Sequence, residues 1–258
     1  MRCGEGAVPQ GSLEGGRVLD TAALGQALRH LLARTEVVTT RALIAASDTS
    51  ASFRVLTLPK SATDAEVDTE VRSQLPLGSP RMALRHIEVL KGRGRRTVYA
   101  TVWDRGQVQA IADTARAAGL EPVVVDLKSL CVARAVPLSS CILLDLSAEP
   151  FEAVLIDERV PRVWHTFKIE SSGDVAASLA TGLKPVLGFY KQSGSATFGQ
   201  DSPVLIRADQ QLPSQMITRL EQLIGHPVGP LPQPHRVQPE VRFCAFLTCI
   251  GLVMRRQV

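Results

Sequence analysis

The stretch from Cys141 to Ile169, CILLDLSAEPFEAVLIDERVPRVWHTFKI, decides the fold. An apolar run, Ile142-Leu143-Leu144, delivers Asp145 at its end. A second run, Phe151 to Ile156, follows after a short polar break. The turn Asp157-Glu158-Arg159 then leads into a third run, Val160 to Ile169. Short apolar runs bounded by turn residues read as strands, and tight connections between them make a meander. A carboxylate emerging from the end of a buried strand either faces a ligand or caps the turn that follows.

Downstream of the meander, Gly173 is read as the cap of a helix from Asp174 to Gln192, kinked at Pro185. Pro203 to Arg207 reads as a strand, and Pro213 to Ile224 as a helix closed by Gly225. Pro227 to Pro239 reads as a proline-rich loop and Glu240 to Arg256 as the last helix. Upstream, Asp20 caps a helix from Thr21 to Ala33 that places Leu24, Leu28, Leu31 and Leu32 on one face. Arg41 to Ser47 and Ser52 to Leu58 read as strands. Thr63 with Glu66 makes a capping box for a helix to about Gln74. Ala83 to Leu90 and Thr97 to Trp103 read as strands. Asp104 caps a helix from Arg105 to Ala118, closed by Gly119, before a strand over Glu121 to Asp126 and a helix over Lys128 to Ala135. The order helix, strand, strand, helix, strand marks a unit inserted into a larger α/β frame.

A length of 258 residues suffices for one large domain or two lobes, and 45% apolar with 21% charged residues is an ordinary globular composition. Aromatics are 4% and the net charge of +4 is dispersed, so no stacking platform for nucleic acid is evident. The dense basic run Lys91 to Arg96 lies between two strands and reads as a solvated hairpin tip. Five cysteines, Cys3, Cys131, Cys141, Cys244 and Cys249, show no CxxC spacing and fit reduced thiols of a cytoplasmic protein. The five histidines, His30, His86, His165, His226 and His235, have no ligand spacing, and no metal is assigned. Met1 to Gly16 holds five glycines and is read as a disordered tail, unlike a basic-then-apolar signal peptide. Phe243 to Met254 is the most apolar run and too short to span a bilayer.

In order along the chain, several segments resemble one family. GRVLDTAALGQALRHLL (16–32) is similar to its entry into the first helix. RALIAASDTSASFRVLTLP (41–59) is similar to its strand pair ending in Leu-Pro. TDAEVDTEVRSQLPLGSPRMALRHIEVL (63–90) is similar to its acidic helix and following turn. The fullest likeness is VYATVWDRGQVQAIADTARAAGLEPVVVDLKSLCVARA (98–135), a strand, a helix ending in Gly-Leu, a strand with Val-Asp and a further helix. The family is PilM, the cytoplasmic actin-like protein of type IV pilus assembly, with the cell-division protein FtsA more distant.

The resemblance implies an α/β actin-like (ribonuclease H-like) two-lobed fold with an inserted α+β subdomain and a reduced second lobe. Its expected layout is a tail over 1–15, a first lobe from 16–54 and 121–139, an insert over 55–120, and a second lobe with the C-terminal helix over 140–258. The nucleotide site it implies would use Asp145, Ser147, Lys184, Arg207 and Ala208, with ATP and Mg as possible ligands. The chain departs from the family there. No Gly-rich phosphate hairpin is read before Gly16, and Ser147-Ala148-Glu149-Pro150 stands where small and glycine residues follow the family's Asp. Backbone phosphate binding needs glycine's close approach. Proline removes an N–H, and Glu149 repels phosphate. Arg207-Ala208-Asp209-Gln210-Gln211 replaces the family's glycine turn for adenosine. A degenerate nucleotide site and no catalytic residues follow.

The partner implied is a PilN-like inner-membrane protein whose N-terminal peptide docks in an apolar groove, here expected at Leu43, Ile87, Val89, Val108 and Ile111. Self-association is a further possibility, and membrane contact is expected only through the partner. Two alternatives stay open: an ATP-binding ATPase or phosphotransferase of the same superfamily fold, and a cytoplasmic component of a type II secretion-like platform. Ser139-Ser140-Cys141 as a nucleophile lacks a neighbouring base in the sequence and reads as core or loop.

Overall fold

The computed structural model describes residues 2–75, 77–92, 94–169, 173–193, 198–208, 210, 212–234, 237 and 242–255. The chain divides into two compact units, Met1–Lys128 and Ser129–Val258.

In the first unit a small hairpin pairs β1 (Leu13–Glu14) with β2 (Arg17–Val18). Ser12 beside it is buried and donates its hydroxyl to the Pro9 carbonyl at 2.6 Å. This corrects the expectation of a disordered tail through residue 15. The positive φ of Gly15 and Gly16 makes the turn, and those are the same glycines that made the composition look unstructured. Helix α1 (Thr21–Arg34) starts at Asp20, whose carboxylate accepts the Ala23 N–H at 2.9 Å.

Strand β3 (Arg41–Ala46) is followed by β4 (Ala51–Pro59) and by α2 (Asp64–Gln74). The capping box is present at α2: Glu66 accepts from the Thr63 N–H at 2.7 Å, and Thr63 Oγ1 accepts from the Glu66 N–H at 3.3 Å. The Thr63 backbone and hydroxyl hold the Glu66 carboxyl below its ordinary range. Strands β5 (Met82–Gly92) and β6 (Arg95–Asp104) form a hairpin across the basic run, of which Arg93 lies outside the described residues. Arg96, beside the turn and expected to be solvated, instead donates to Asp64 at 2.9 Å and to the Ala62 carbonyl at 2.7 Å, tying the tip of the hairpin to α2.

Strands β4, β6 and β5, in that order, make an antiparallel sheet. Val98, Ala100 and Val102 on one of its faces pack against Val67 and Val71 of α2 and against Leu75, which follows it. Helix α3 (Arg105–Ala117) leads through Gly119, at φ +85°, into β7 (Glu121–Leu127), which pairs parallel with β3. Helices α1 and α3 pack closely because Gly25 leaves room for the Ala117 side chain and the Thr114 carbonyl.

The second unit opens with α4 (Lys128–Ala135), whose first residue closes the first unit. The meander follows as β8 (Cys141–Asp145), β9 (Phe151–Asp157) and β10 (Val160–Phe167). After α5 (Val175–Ser193) come β11 (Val204–Arg207), α6 (Ser214–Ile224), β12 (Val228–Pro230) and α7 (Phe243–Val253). One sheet holds all five strands in the order β10-β9-β8-β11-β12, antiparallel through the meander and parallel from β8 onward. Its two faces carry separate cores. Ile142, Leu144, Val204 and Ile206 meet α5 and α6, and Cys141, Leu143 and Leu205 meet α4 and α7. This double coverage explains why β8 reads as a continuous apolar run rather than an alternating one.

Three local readings are corrected here. Asp174, not Gly173, caps α5, its carboxylate accepting the Ala177 N–H at 3.2 Å. The proline-rich loop contains β12, because Pro227 precedes the strand and leaves Val228 to Pro230 able to pair with β11. The last helix starts at Phe243 rather than Glu240, which lies outside the described residues. Pro185 sits within α5, exposed, as is Thr181 one turn earlier, so water can serve the carbonyl that proline deprives of a donor.

Gly251 on α7 lies against the Cys131 carbonyl of α4, and a Cβ there would run into that oxygen. Neither backbone can yield as a side chain could. Gly251→Ala is therefore expected to cost about 1–3 kcal/mol or more, read as a lower denaturant midpoint at unchanged slope.

Candidate functional site

The carboxyl ends of β8 and β11 build the only charged cluster among the described residues that the sequence reading anticipated. The parallel register sets Arg207 opposite Asp145. The Arg207 guanidinium donates from Nη1 to Asp145 Oδ2 at 2.6 Å, from Nε to the Cys244 carbonyl at 2.5 Å, and from Nη2 to the Ala245 carbonyl at 3.2 Å. Asp145 Oδ1 accepts from the Ser147 hydroxyl at 2.6 Å and from the Ser147 N–H at 3.1 Å. Asp145 is 4% exposed and Arg207 8%. Charges that deep are tolerated only when paired and hydrogen-bonded. Here each oxygen of the carboxylate has a donor, one side of the guanidinium serves α7, and Ser147 closes the turn after β8.

Of the five expected nucleotide residues, Asp145, Ser147 and Arg207 thus meet. Ala208 packs beside them against the core under α5 and α6, and Lys184 lies on the exposed side of α5. Asp209 and Gln211 of the expected adenosine turn are outside the described residues. Chemically the arrangement places a cation where a metal-binding carboxylate would need to be free, and its polar atoms point at protein. An Asp at one strand end and an Arg at another, each following an apolar triplet (Ile142-Leu143-Leu144 and Val204-Leu205-Ile206), is the signal that would have revealed the pair.

A second buried network went unnoticed in the sequence. Asp157, fully buried, accepts from the Ser140 hydroxyl at 2.9 Å and from the Tyr190 hydroxyl at 2.8 Å, and the Tyr190 oxygen accepts the Phe198 N–H at 3.2 Å. It locks α5 to the β9–β10 turn. Cys141 beside it is buried, and burial pushes its thiol up to about 12, which keeps it protonated at neutral pH.

The expected partner residues fall on three elements of the first unit. Leu43 on β3 is 42% exposed and Ile87 on β5, opposite Tyr99, is 47% exposed. Val89 on β5 and Val108 and Ile111 on α3 are half-buried.

Two outcomes follow from this geometry. Arg207→Met strands a buried carboxylate and is expected to cost about 3–5 kcal/mol, whereas adding Asp145→Asn recovers most of that loss; denaturant melts of the four proteins of the cycle measure it. Thiol labelling at about pH 8.5, where ordinary cysteines ionise, is expected to modify the exposed Cys3 and Cys249 in the folded chain and to spare the buried Cys131 and Cys141 until denaturant is added.

No family model and no curated protein matches the chain. Solved structures do. One is the "PilM-PilN type IV pilus biogenesis complex", with a TM-score of 0.67 at 19% identity over 96% of this chain and 88% of that one. Another is the cytoplasmic domain of EpsL, an inner membrane component of the type II secretion system of Vibrio cholerae, with a TM-score of 0.53 at 12% identity over 95% of this chain and 85% of that one. At such identities the likeness concerns the fold, and the fold is the actin-like α/β fold.

Proposed function

We propose that this chain is a non-catalytic scaffold of a type IV pilus or related assembly platform, held at the cytoplasmic face of an inner membrane by a partner's tail. The observation that carries the reading is the whole-chain likeness to the PilM-PilN complex. The likeness to EpsL, an inner membrane component of the type II secretion system, supports the same class of work. No helix among the described residues is long and apolar enough to cross a membrane, which agrees with anchoring through a partner. The partner is a PilN-like protein, and its tail is read as an extended apolar peptide, since such a peptide gains affinity from main-chain pairing and side-chain pockets. Exposed Leu43 and Ile87 are the two apolar residues in the expected set with most surface to offer.

The Asp145–Arg207 pair supports a scaffold over a nucleotide-driven ATPase or phosphotransferase. A carboxylate neutralised by a buried guanidinium is unavailable to a Mg-bound water, and Glu149 and Pro150 after it disfavour a phosphate cradle.

Calorimetry with Mg-ATP is expected to show no saturable binding tighter than about 1 mM, roughly −4 kcal/mol; a low-micromolar constant overturns the degenerate-site reading. Pull-down with the N-terminal peptide of a PilN-like protein encoded beside this chain is expected to retain it, and Ile87→Asp to weaken retention. Failure of the wild type to retain the peptide overturns the partner.

A further inference from the structure

Helix α2 sits on the β4–β6–β5 sheet through Val67 and Val71, both fully buried, which leaves its flanks free. One flank lies beside β4, the outer strand of that sheet. Between them runs a groove of about 530 Å3 lined by Leu58, Pro59, Ala62, Ala65, Glu66 and Glu70. The groove exists because Ala62 and Ala65 are too short to close the gap between helix and strand.

The charges of α2 are divided between the groove and the rest of the helix. Its first two turns carry Asp64, Glu66, Asp68 and Glu70. Asp64 pairs with Arg96 at 2.9 Å, and Asp68 lies 3.4 Å from His86. Neither of these lines the groove. Glu66 and Glu70 do, and no cation among the described residues lies within ion-pair distance of either. Glu66 accepts instead from the Thr63 hydroxyl at 2.9 Å, which helps to keep it ionised, and Glu70 accepts from the Gln74 amide at 3.1 Å. The carboxylates left unmatched are thus the two that border an apolar floor. Residues four apart on a helix stand about 5–6 Å from one another. Alternate side chains of an extended chain stand about 7 Å apart on one side, close to the same interval.

We propose that the α2–β4 groove binds an extended cationic segment of a partner, with Lys or Arg at alternate positions and an apolar side chain between them. The cations meet Glu66 and Glu70, and the residue between them meets Leu58 and Pro59. The source rests on the scaffold reading: it is the membrane-proximal stretch of the inner-membrane partner's tail, because cytoplasmic segments that flank a span are rich in Lys and Arg. The groove is a second point of attachment. Ile87, opposite Tyr99, faces away from α2, so the two lie on opposite sides of one sheet.

The test is fluorescence anisotropy on the full chain at low salt, with dye-labelled acetyl-Lys-Leu-Arg-Leu-Lys-amide as the probe. Saturable binding is expected, weakened about fivefold or more by Glu70→Lys. Ala65→Arg, at an exposed helical position that makes no side-chain hydrogen bond, fills the groove and is expected to abolish binding. Asp68→Lys makes the same change of charge on the same helix outside the groove, and is expected to leave most of the affinity. The block peptide acetyl-Lys-Lys-Arg-Leu-Leu-amide, of equal charge, is expected to bind more weakly. Absence of saturable binding overturns the proposal. Equal loss with Asp68→Lys, or equal binding of the block peptide, also overturns it, since either makes the attraction diffuse. Sedimentation that shows the chain pairing with itself, and losing that pairing with Glu70→Lys, makes a second copy the occupant and overturns it too. The PilN-like tail is then tested against the same variants. A tail retained by the wild type and equally by Glu70→Lys and Ala65→Arg removes the groove and leaves the scaffold reading standing. A tail that is not retained, with the probe bound as expected, removes the membrane partner and keeps the cationic occupant.

Discussion

The Asp145–Arg207 pair is the constraint on which the second unit depends. Side chains in a sheet alternate between faces, so a slip of one residue between β8 and β11 would send Ile142 and Leu144 to the wrong core. An apolar ladder alone penalises that slip weakly here, because both faces of the sheet are apolar. The charged pair penalises it strongly: displaced by one position, each charge would face an apolar neighbour in a water-excluded place. Through the Cys244 and Ala245 carbonyls the same guanidinium extends the register to α7. One cation thereby fixes two strands and a helix that lie far apart in sequence.

How far the sequence spoke for itself depended on which forces were local. Thr63 with Glu66, Asp20 and Asp104 announce helix starts, since the donors they satisfy lie within a turn of them. The meander was legible because its three apolar runs are joined by short polar turns, whereas the place of β11 beside β8 rests on a pairing between segments far apart in the chain. The hairpin at Leu13–Val18 was not legible, because two-residue strands carry no period and its glycines resemble those of an unstructured tail. Nor was β12, whose flanking prolines argue locally for a loop while the edge of β11 offers a partner.

The candidate site divides along the same line. Asp145 was singled out as a strand-end carboxylate, and Arg207 as an intruder in a glycine turn, yet their meeting depends on a parallel register that no local pattern encodes. Asp157 with Ser140 and Tyr190 is a similar case, since the tyrosine comes from a helix 33 residues on. A polar residue inside an apolar run signals that a partner exists without naming it.

The insertion between β3 and β7 bears on the order in which the first unit can assemble. The parallel pair joins Arg41–Ala46 to Glu121–Leu127, so an unfolded chain would have to close a long loop before either strand gained a neighbour. The β4–α2–β5–β6 segment shortens that search. Its sheet is antiparallel, its hairpin β5–β6 is local, and Val67 and Val71 with Val98, Ala100 and Val102 give it a core of its own. Once collapsed, it brings the ends of β3 and β7 within reach as a folded spacer in place of a slack chain. The insertion then acts as an assembly jig for the frame that interrupts itself to hold it.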